Sequence, residues 1–410
     1  MAKGDVMKRP AAKVKAKAKA KAKAKAAKAV LKRPASKPPG KSKTEYILVS
    51  AYTLQLGHVM SPSVEDAKGI SVYRREHRGD GSFGNLVFHW SCSDFPCPTY
   101  MCSNSERTRI YAVSEVPEEG TVSAYSFDAR TGQLKLLNSM LTGGSIACHV
   151  SLTRNERTLA VANYGGSVAL FQLSAEGKLS QRSDLQLAES LGVGVNKERQ
   201  EGPHPHMAHF DAANKHLLVP DLGLDRVMTY QVQGERNLRL RGHMAVAPGS
   251  GPRHLVFHPT LSVVYVLNEL LSTVIACHYD ASSGELLPTD PVETVPGAEG
   301  QTEAAAIRIS GDGKFLYVSN RGHDSITVLR VLEDGLVEHL EPVALCSTSV
   351  DDGRMVAQWP PRECPRDFAL CCKDQYLIVG NQNSDSLVVL ERNPELGTLS
   401  KIGVSVSCSA

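Results

Sequence analysis

No apolar run in the 410 residues reaches the roughly 18 needed to cross a bilayer, so a membrane-spanning helix is excluded. No stretch near the start has the form of a signal peptide either, and no membrane partner is expected. Cysteine is thin and scattered: ten residues, with no Cys-x-x-Cys. Cys371 and Cys372 are adjacent, and neighbouring side chains of a regular strand point to opposite faces. That spacing suits neither a disulfide framework nor a zinc site, and it fits a reducing compartment. A Gly-rich phosphate loop and a dinucleotide fingerprint are also missing. No Gly-x-Ser-x-Gly elbow is present, which argues against a covalent acyl-enzyme.

Acidic residues are missing from one region. Residues 1–43 carry sixteen Lys and Arg and a single acid, Asp5, leaving thirty basic and forty-two acidic residues beyond them. The net charge of +3 therefore hides a basic tail on an acidic body. Lys-Ala alternation from Lys13 to Ala27 and the Pro-rich run after it offer almost nothing to bury, so residues 1–43 read as a disordered extension. Phosphate neutralisation by Lys makes a polyanion such as nucleic acid its expected partner. The Lys32-Arg33-Pro34 segment allows a nuclear address, against a cytoplasmic location for the protein as a whole.

From residue 44 the texture changes to short strands. Seven share one form: Ile47-Leu-Val-Ser-Ala51, Ile110-Tyr-Ala-Val-Ser-Glu115, Leu159-Ala-Val-Ala-Asn163, Leu217-Leu-Val-Pro-Asp221, Val264-Tyr-Val-Leu-Asn268, Leu316-Tyr-Val-Ser-Asn320 and Leu377-Ile-Val-Gly-Asn381. Their ends fall 47 to 64 residues apart, the period of a propeller rather than a sandwich. A second strand follows each, as in Ser325-Ile-Thr-Val-Leu329, and Gly turns such as Glu176-Gly-Lys-Leu179 and Leu396-Gly-Thr-Leu399 lead into a third. A further strand precedes every repeat but the first, as in Pro252-Arg-His-Leu-Val-Phe257.

The fold class is thus all-β: a seven-bladed β-propeller of four-stranded blades over residues 44–410. The first blade lacks its innermost strand, and Gly403–Ala410 is the segment expected to supply it, closing the ring with both termini in one blade. The longest gaps predict insertions around Leu54–Asp66, Asp80–Asp94 and Ser349–Glu363, and a further loop spans Glu189–Glu201.

Innermost strands of a propeller line its channel, so polar residues at their ends converge though distant in sequence. His204, His206, Asp221, Arg253, His254, Glu269, Arg321, Arg366 and Gln382 stand there. Asn163, Asn320 and Asn381 are expected to cap turns by accepting backbone N–H bonds, and Asp225, Asp324 and Asp385 to form them. Arg253, Arg321 and Arg366 begin or end inner strands, where a guanidinium is not buried unpaired, and they point to an anion site.

The blocks His204-Pro-His206, Asp221-Leu-Gly-Leu-Asp225, Gly251-Pro-Arg-His-Leu-Val-Phe-His-Pro259, Asn268-Glu269, Ser319-Asn-Arg-Gly322, Pro365-Arg-Asp-Phe368 and Asn381-Gln382 resemble those of the lactonase family of seven-bladed propellers. That family includes the propeller-type 6-phosphogluconolactonases and the carboxy-cis,cis-muconate cyclases. The resemblance runs from about Tyr46 to the C-terminus.

It implies a catalytic set of His206, Arg253, Glu269 and Arg321. His204, Asp221, His254, Arg366, Asn320 and Gln382 are expected to bind substrate around it. Lactone hydrolysis needs a base for water and positive charge at the oxyanion. Glu269 or His206 serves the first need, Arg253 and Arg321 the second. Neither a metal nor a cofactor is required.

The expected reaction is conversion of 6-phosphoglucono-1,5-lactone, a small anionic sugar lactone, to 6-phosphogluconate in the oxidative pentose phosphate pathway, by a monomer. The alternatives are an enzyme acting on a dicarboxylate such as carboxy-cis,cis-muconate, and a non-catalytic propeller scaffold.

Overall fold

A computed structural model describes residues 44–54, 67–80, 82–340, 343–344 and 363–407. The basic tail, most of Leu54–Asp66 and nearly all of Ser349–Glu363 lie outside the described residues. The rest forms seven antiparallel sheets in chain order. Blades two to seven each place four strands from the channel outward, and in the fifth and sixth the outermost strand is broken into two pieces that pair the same neighbour.

The first blade has three described strands: Glu45–Ser50, Ile70–His77 and Phe83–Cys92. Asp80–Asp94 is therefore no insertion but holds that blade's outer strand. The expected closure by the C-terminus is also corrected. Leu399–Ser407 pairs with Ser386–Arg392 across a local hairpin, from Arg392 opposite Leu399 to Ser386 opposite Ser407. It is the outer strand of the seventh blade. Asn393 Oδ1 accepts the Glu395 and Leu396 amides (2.9 and 3.1 Å), and Gly397 takes φ +73°, so the turn folds the strand back onto its sequence neighbour. Pairing across so short a loop costs less entropy than a return to the first blade.

Apolar clusters fill the seams between neighbouring blades. Tyr265, Leu267, Leu316 and Val318 are fully buried between the fifth and sixth, and Tyr317, Val328, Leu377 and Leu390 between the sixth and seventh. A tyrosine repeats as a link between blades. Tyr111, Tyr265 and Tyr317 donate their hydroxyls to the carbonyls of Gly177, Gly335 and Gly397 in the next blade's outer turn, at 3.1, 2.9 and 3.0 Å. Burial of the ring and satisfaction of its hydroxyl come together there. The seam between seventh and first blades is joined by Tyr73, Phe83, Tyr376 and Val389, with Arg75 packed over Phe83.

The repeating asparagines act differently from the expectation. Asn163, Asn268, Asn320 and Asn381 donate from Nδ2 to Ser167, Thr273, Ser325 and Ser386, the hydroxyls opening the next strand, at 2.9–3.1 Å. Asp225, Asp324 and Asp385 do form the turns, at φ 49°, 49° and 46°. Asp225 and Asp324 also accept the amides of Gly249 and Gly251 and of Glu363 and Cys364, at 2.7–3.0 Å. Those bonds fix the loops that lead into the inner strands carrying Arg253 and Arg366.

Candidate active site

Inner and second strands are antiparallel, so the start of one meets the end of the other at the same mouth. Pro252 faces Asn268, Ala147 faces Asn163 and Pro365 faces Asn381. One residue into each inner strand the register slips, at Cys148, Arg253 and Arg366. A bulge re-aims the side chain it carries, and here it delivers Arg253 and Arg366 to the cavity. The residue after each second strand supplies the next ring: Glu115, Tyr164, Glu269 and Gln382 line the cavity, as does Arg321, while the fourth blade contributes Leu222, a buried apolar residue.

The cavity holds about 480 Å³. At its centre Glu269, 1% exposed, meets three guanidiniums: Arg253 Nε at 2.7 Å, Arg199 Nη2 at 2.7 Å and Arg321 Nη2 at 2.9 Å. Glu303 meets the outer two, Arg199 at 3.1 Å and Arg321 at 3.2 Å. Burial pushes the Glu269 carboxyl up, but Arg321, Arg199 and Arg253 outweigh it and hold it well below the usual carboxylate range. A carboxylate so held is a poor base. Arg253 is fixed further by donating to the Ala305 carbonyl, and burial draws its pKa down to about 10.

Arg366 belongs to a second network. It donates to Gln382 Oε1 at 3.1 Å and to the Tyr52 hydroxyl at 2.8 Å, and that hydroxyl donates to Glu115 at 2.7 Å. Thr99 donates to the other Glu115 oxygen at 2.5 Å. His206 stands between the networks. Burial first, then the field of Arg253, pulls its pKa well below the ordinary histidine value. Its Nδ1 has no hydrogen-bond partner among the described residues. A neutral imidazole lining a charged cavity is a group that can take a proton from water. Beneath it His254, His149 and Tyr100 pack ring to ring, His206 to His254 at 5.5 Å and Tyr100 to His149 at 4.3 Å.

Of the residues expected at a site, the structure brings together His206, Arg253, Glu269, Arg321, Arg366 and Gln382. It does not bring Asn320, which is spent on Ser325 and Thr327. His204 is likewise engaged: Nδ1 bonds the Tyr164 carbonyl at 2.8 Å, Nε2 meets Glu201 at 3.0 Å, and its ring stacks on Tyr164. Asp221 accepts the His204 and Leu224 amides and shapes the turn, with burial lifting its pKa to about 6. His254 lies behind Arg253, 3.3 Å from its Nη1. These three support the wall rather than face substrate. Arg199, Glu303, Tyr52 and Glu115 are additions. Glu115 ends one of the repeated strand segments and Tyr52 directly follows another, Ile47–Ala51; Arg199 comes from the Glu189–Glu201 loop and carries no motif.

The family model of the seven-bladed β-propeller lactonases matches residues 48–410. The chain belongs to that family. It is 35% identical over 313 residues to the 6-phosphogluconolactonase of Bacillus subtilis, covering 76% of this chain and 84% of the relative. The periplasmic gluconolactonase of Pseudomonas aeruginosa superposes with a TM-score of 0.73 at 28% identity, over 89% of this chain and 96% of that one. A Bacteroides fragilis protein assigned provisionally as a 6-phosphogluconolactonase gives a TM-score of 0.75 at 27% identity, over 90% and 97%. The protein is a lactonase, and its cavity occupies the channel mouth of the lactonase propeller.

Proposed function

We propose that the protein hydrolyses 6-phosphoglucono-1,5-lactone to 6-phosphogluconate. The observation that carries the reading is the meeting of a neutral, unpartnered imidazole, His206, with Arg253, Arg321 and Arg366 in one cavity of small-molecule size. Similarity to the Bacillus 6-phosphogluconolactonase supports the choice of lactone. The His206 imidazole takes a proton from the attacking water, and the guanidiniums face the carbonyl oxygen as it gains charge. Glu269 serves as their anchor: it holds the Arg fork in place before substrate arrives, so little reorganisation is left for the reaction. The deciding assay compares phosphorylated with plain gluconolactone on purified protein, corrected for spontaneous opening. Rates no faster than spontaneous for both would end this reading.

A second reading, an unphosphorylated lactone, draws support from the pairing of Arg199, Arg253 and Arg321 with Glu269 and Glu303, which neutralises much of the positive charge. Arg199 separates the two. Its side chain is 32% exposed, against 4% for Arg253 and 9% for Arg321, so it stands on the solvent side, where a terminal phosphate projects. Arg199→Ala should raise KM for the phosphorylated lactone by about tenfold, one lost charge-assisted contact, and leave the plain lactone nearly unchanged. Equal effects on both would place the phosphate elsewhere.

We further propose that residues 1–43 bind polyanions through their Lys charge. Full-length protein should bind duplex DNA at low salt with a steep salt dependence, and a chain starting at Thr44 should not, while hydrolysing lactone at the same rate. Equal retention of both on DNA would assign the binding to the acidic body and refute the proposal.

A further inference from the structure

Cys371 and Cys372 do not point to opposite faces. The inner strand of the seventh blade, Pro365–Cys371, ends at the first of them, and Cys372, Lys373 and Asp374 then take φ 53°, 57° and 62°. Three successive non-glycine residues in the left-handed region make a costly turn. It turns Cys372 back, so that both cysteines pack against the same apolar cluster between the seventh and first blades.

Ties on both sides hold this turn. Arg75 Nη1, from the first blade, lies 2.9 Å from Cys372 Sγ and also pairs with Glu45. Asp374 Oδ2 accepts the Gly311 amide at 2.6 Å from the sixth blade. The guanidinium of Arg75 also covers Phe83 at 4.5 Å and Tyr376 at 6.0 Å, so one side chain joins the two blades. Both cysteines are partly exposed, whereas Cys92, Cys97, Cys148, Cys277 and Cys364 are buried.

We propose that Cys371 and Cys372 form a dithiol modification site, oxidised by hydroperoxides to a vicinal disulfide that loosens the ring seam. The Arg75 guanidinium, 2.9 Å from Cys372 Sγ, marks Cys372 as the attacking sulfur. Burial pushes the Cys371 thiol up, so it is not the first sulfur to react. The Cys372 thiolate attacks one peroxide oxygen, breaks the O–O bond and becomes a sulfenic acid, releasing hydroxide. The Cys371 thiol then attacks the sulfenic sulfur, gives up its proton and expels water. Two thiols lose two electrons and two protons, and hydrogen peroxide becomes two waters. Disulfide formation draws Cys372 Sγ from its contact with Arg75, and the link between seventh and first blades weakens.

The test treats full-length protein with hydrogen peroxide and maps the tryptic peptide Asp367–Lys373 without reduction. The expected peptide has lost the mass of two hydrogens and resists alkylation until dithiothreitol is added. The same treatment should lower the melting temperature of the protein by about 2 °C, reversibly. Cys371→Ser should stop at a dimedone-trappable sulfenic acid on Cys372, and Cys372→Ser should leave Cys371 unreacted. Two free, alkylatable thiols after peroxide, or a melting shift that persists in both variants, would overturn the proposal. The peptide map also separates this pair from Cys346 and Cys408.

Discussion

Glu269→Gln should be the most damaging conservative change in the molecule. Three guanidiniums approach a carboxylate that is 1% exposed, and Gln keeps its shape while removing its charge. Breaking a buried ion cluster from one side leaves the remaining charges without compensation and costs about 3–5 kcal/mol. Here Arg253 loses its carboxylate, and Glu303 is left to balance Arg199 and Arg321 alone. Stability and turnover should therefore fall together. The loosened guanidiniums would no longer be preset against the oxyanion, a loss of about 100-fold or more in kcat. Denaturant melts and steady-state kinetics check this. A variant that melts like the parent but has lost kcat would return Glu269 to the role of base, and one that keeps both would remove it from the site.

His206→Asn should behave in the opposite way on stability. The imidazole has an unpartnered Nδ1, so little hydrogen bonding is lost, and the ring swap costs packing alone. The expected loss is in kcat, about 100- to 10,000-fold, with KM little changed, as befits a general base. The pH profile adds a readout that packing would not move. A base is active in its neutral form, so activity falls only as pH drops through its pKa. Burial and Arg253 hold that pKa well below the ordinary value of about 6.5, so turnover should stay level through that range and decline only in stronger acid. An acid limb near 6.5 would assign the base to another group.

Much of this was legible in the sequence because a propeller repeats its grammar. Leu316-Tyr-Val-Ser-Asn320 and its relatives announced the second strands, and Pro252-Arg253 and Pro365-Arg366 marked inner strands that carry Arg into the channel. What was not legible has a physical cause. The alternation in Gly403–Ser407 says that the segment is a strand but not which edge it joins; the Asn393–Gly397 turn decides that, and pairing is local. The charge on Glu269 invited a base, and only the three-dimensional meeting with Arg199, Arg253 and Arg321 shows it clamped. Arg199 sits in a loop whose composition names no partner. Asn320 looked like its neighbour Arg321 in sequence, but the two side chains leave the strand end on opposite sides, one to Ser325 and one to the cavity.

The tyrosine links give the ring a direction. Tyr111, Tyr265 and Tyr317 each reach forward into the following blade, so those neighbours are coupled like teeth of consecutive gears. Between the seventh and first blades no peptide runs directly from one to the next, and their union rests on side chains around Arg75, Tyr376 and Phe83. Such a circle breathes first where covalent continuity is absent. That gap bears on the chemistry, because Tyr52 of the first blade holds Arg366 of the seventh at 2.8 Å. A transient parting there would release Arg366 from one wall of the cavity while the Glu269 cluster, spanning the fifth and sixth blades, stayed shut. The anchored half and the yielding half of the mouth would thus open on separate clocks.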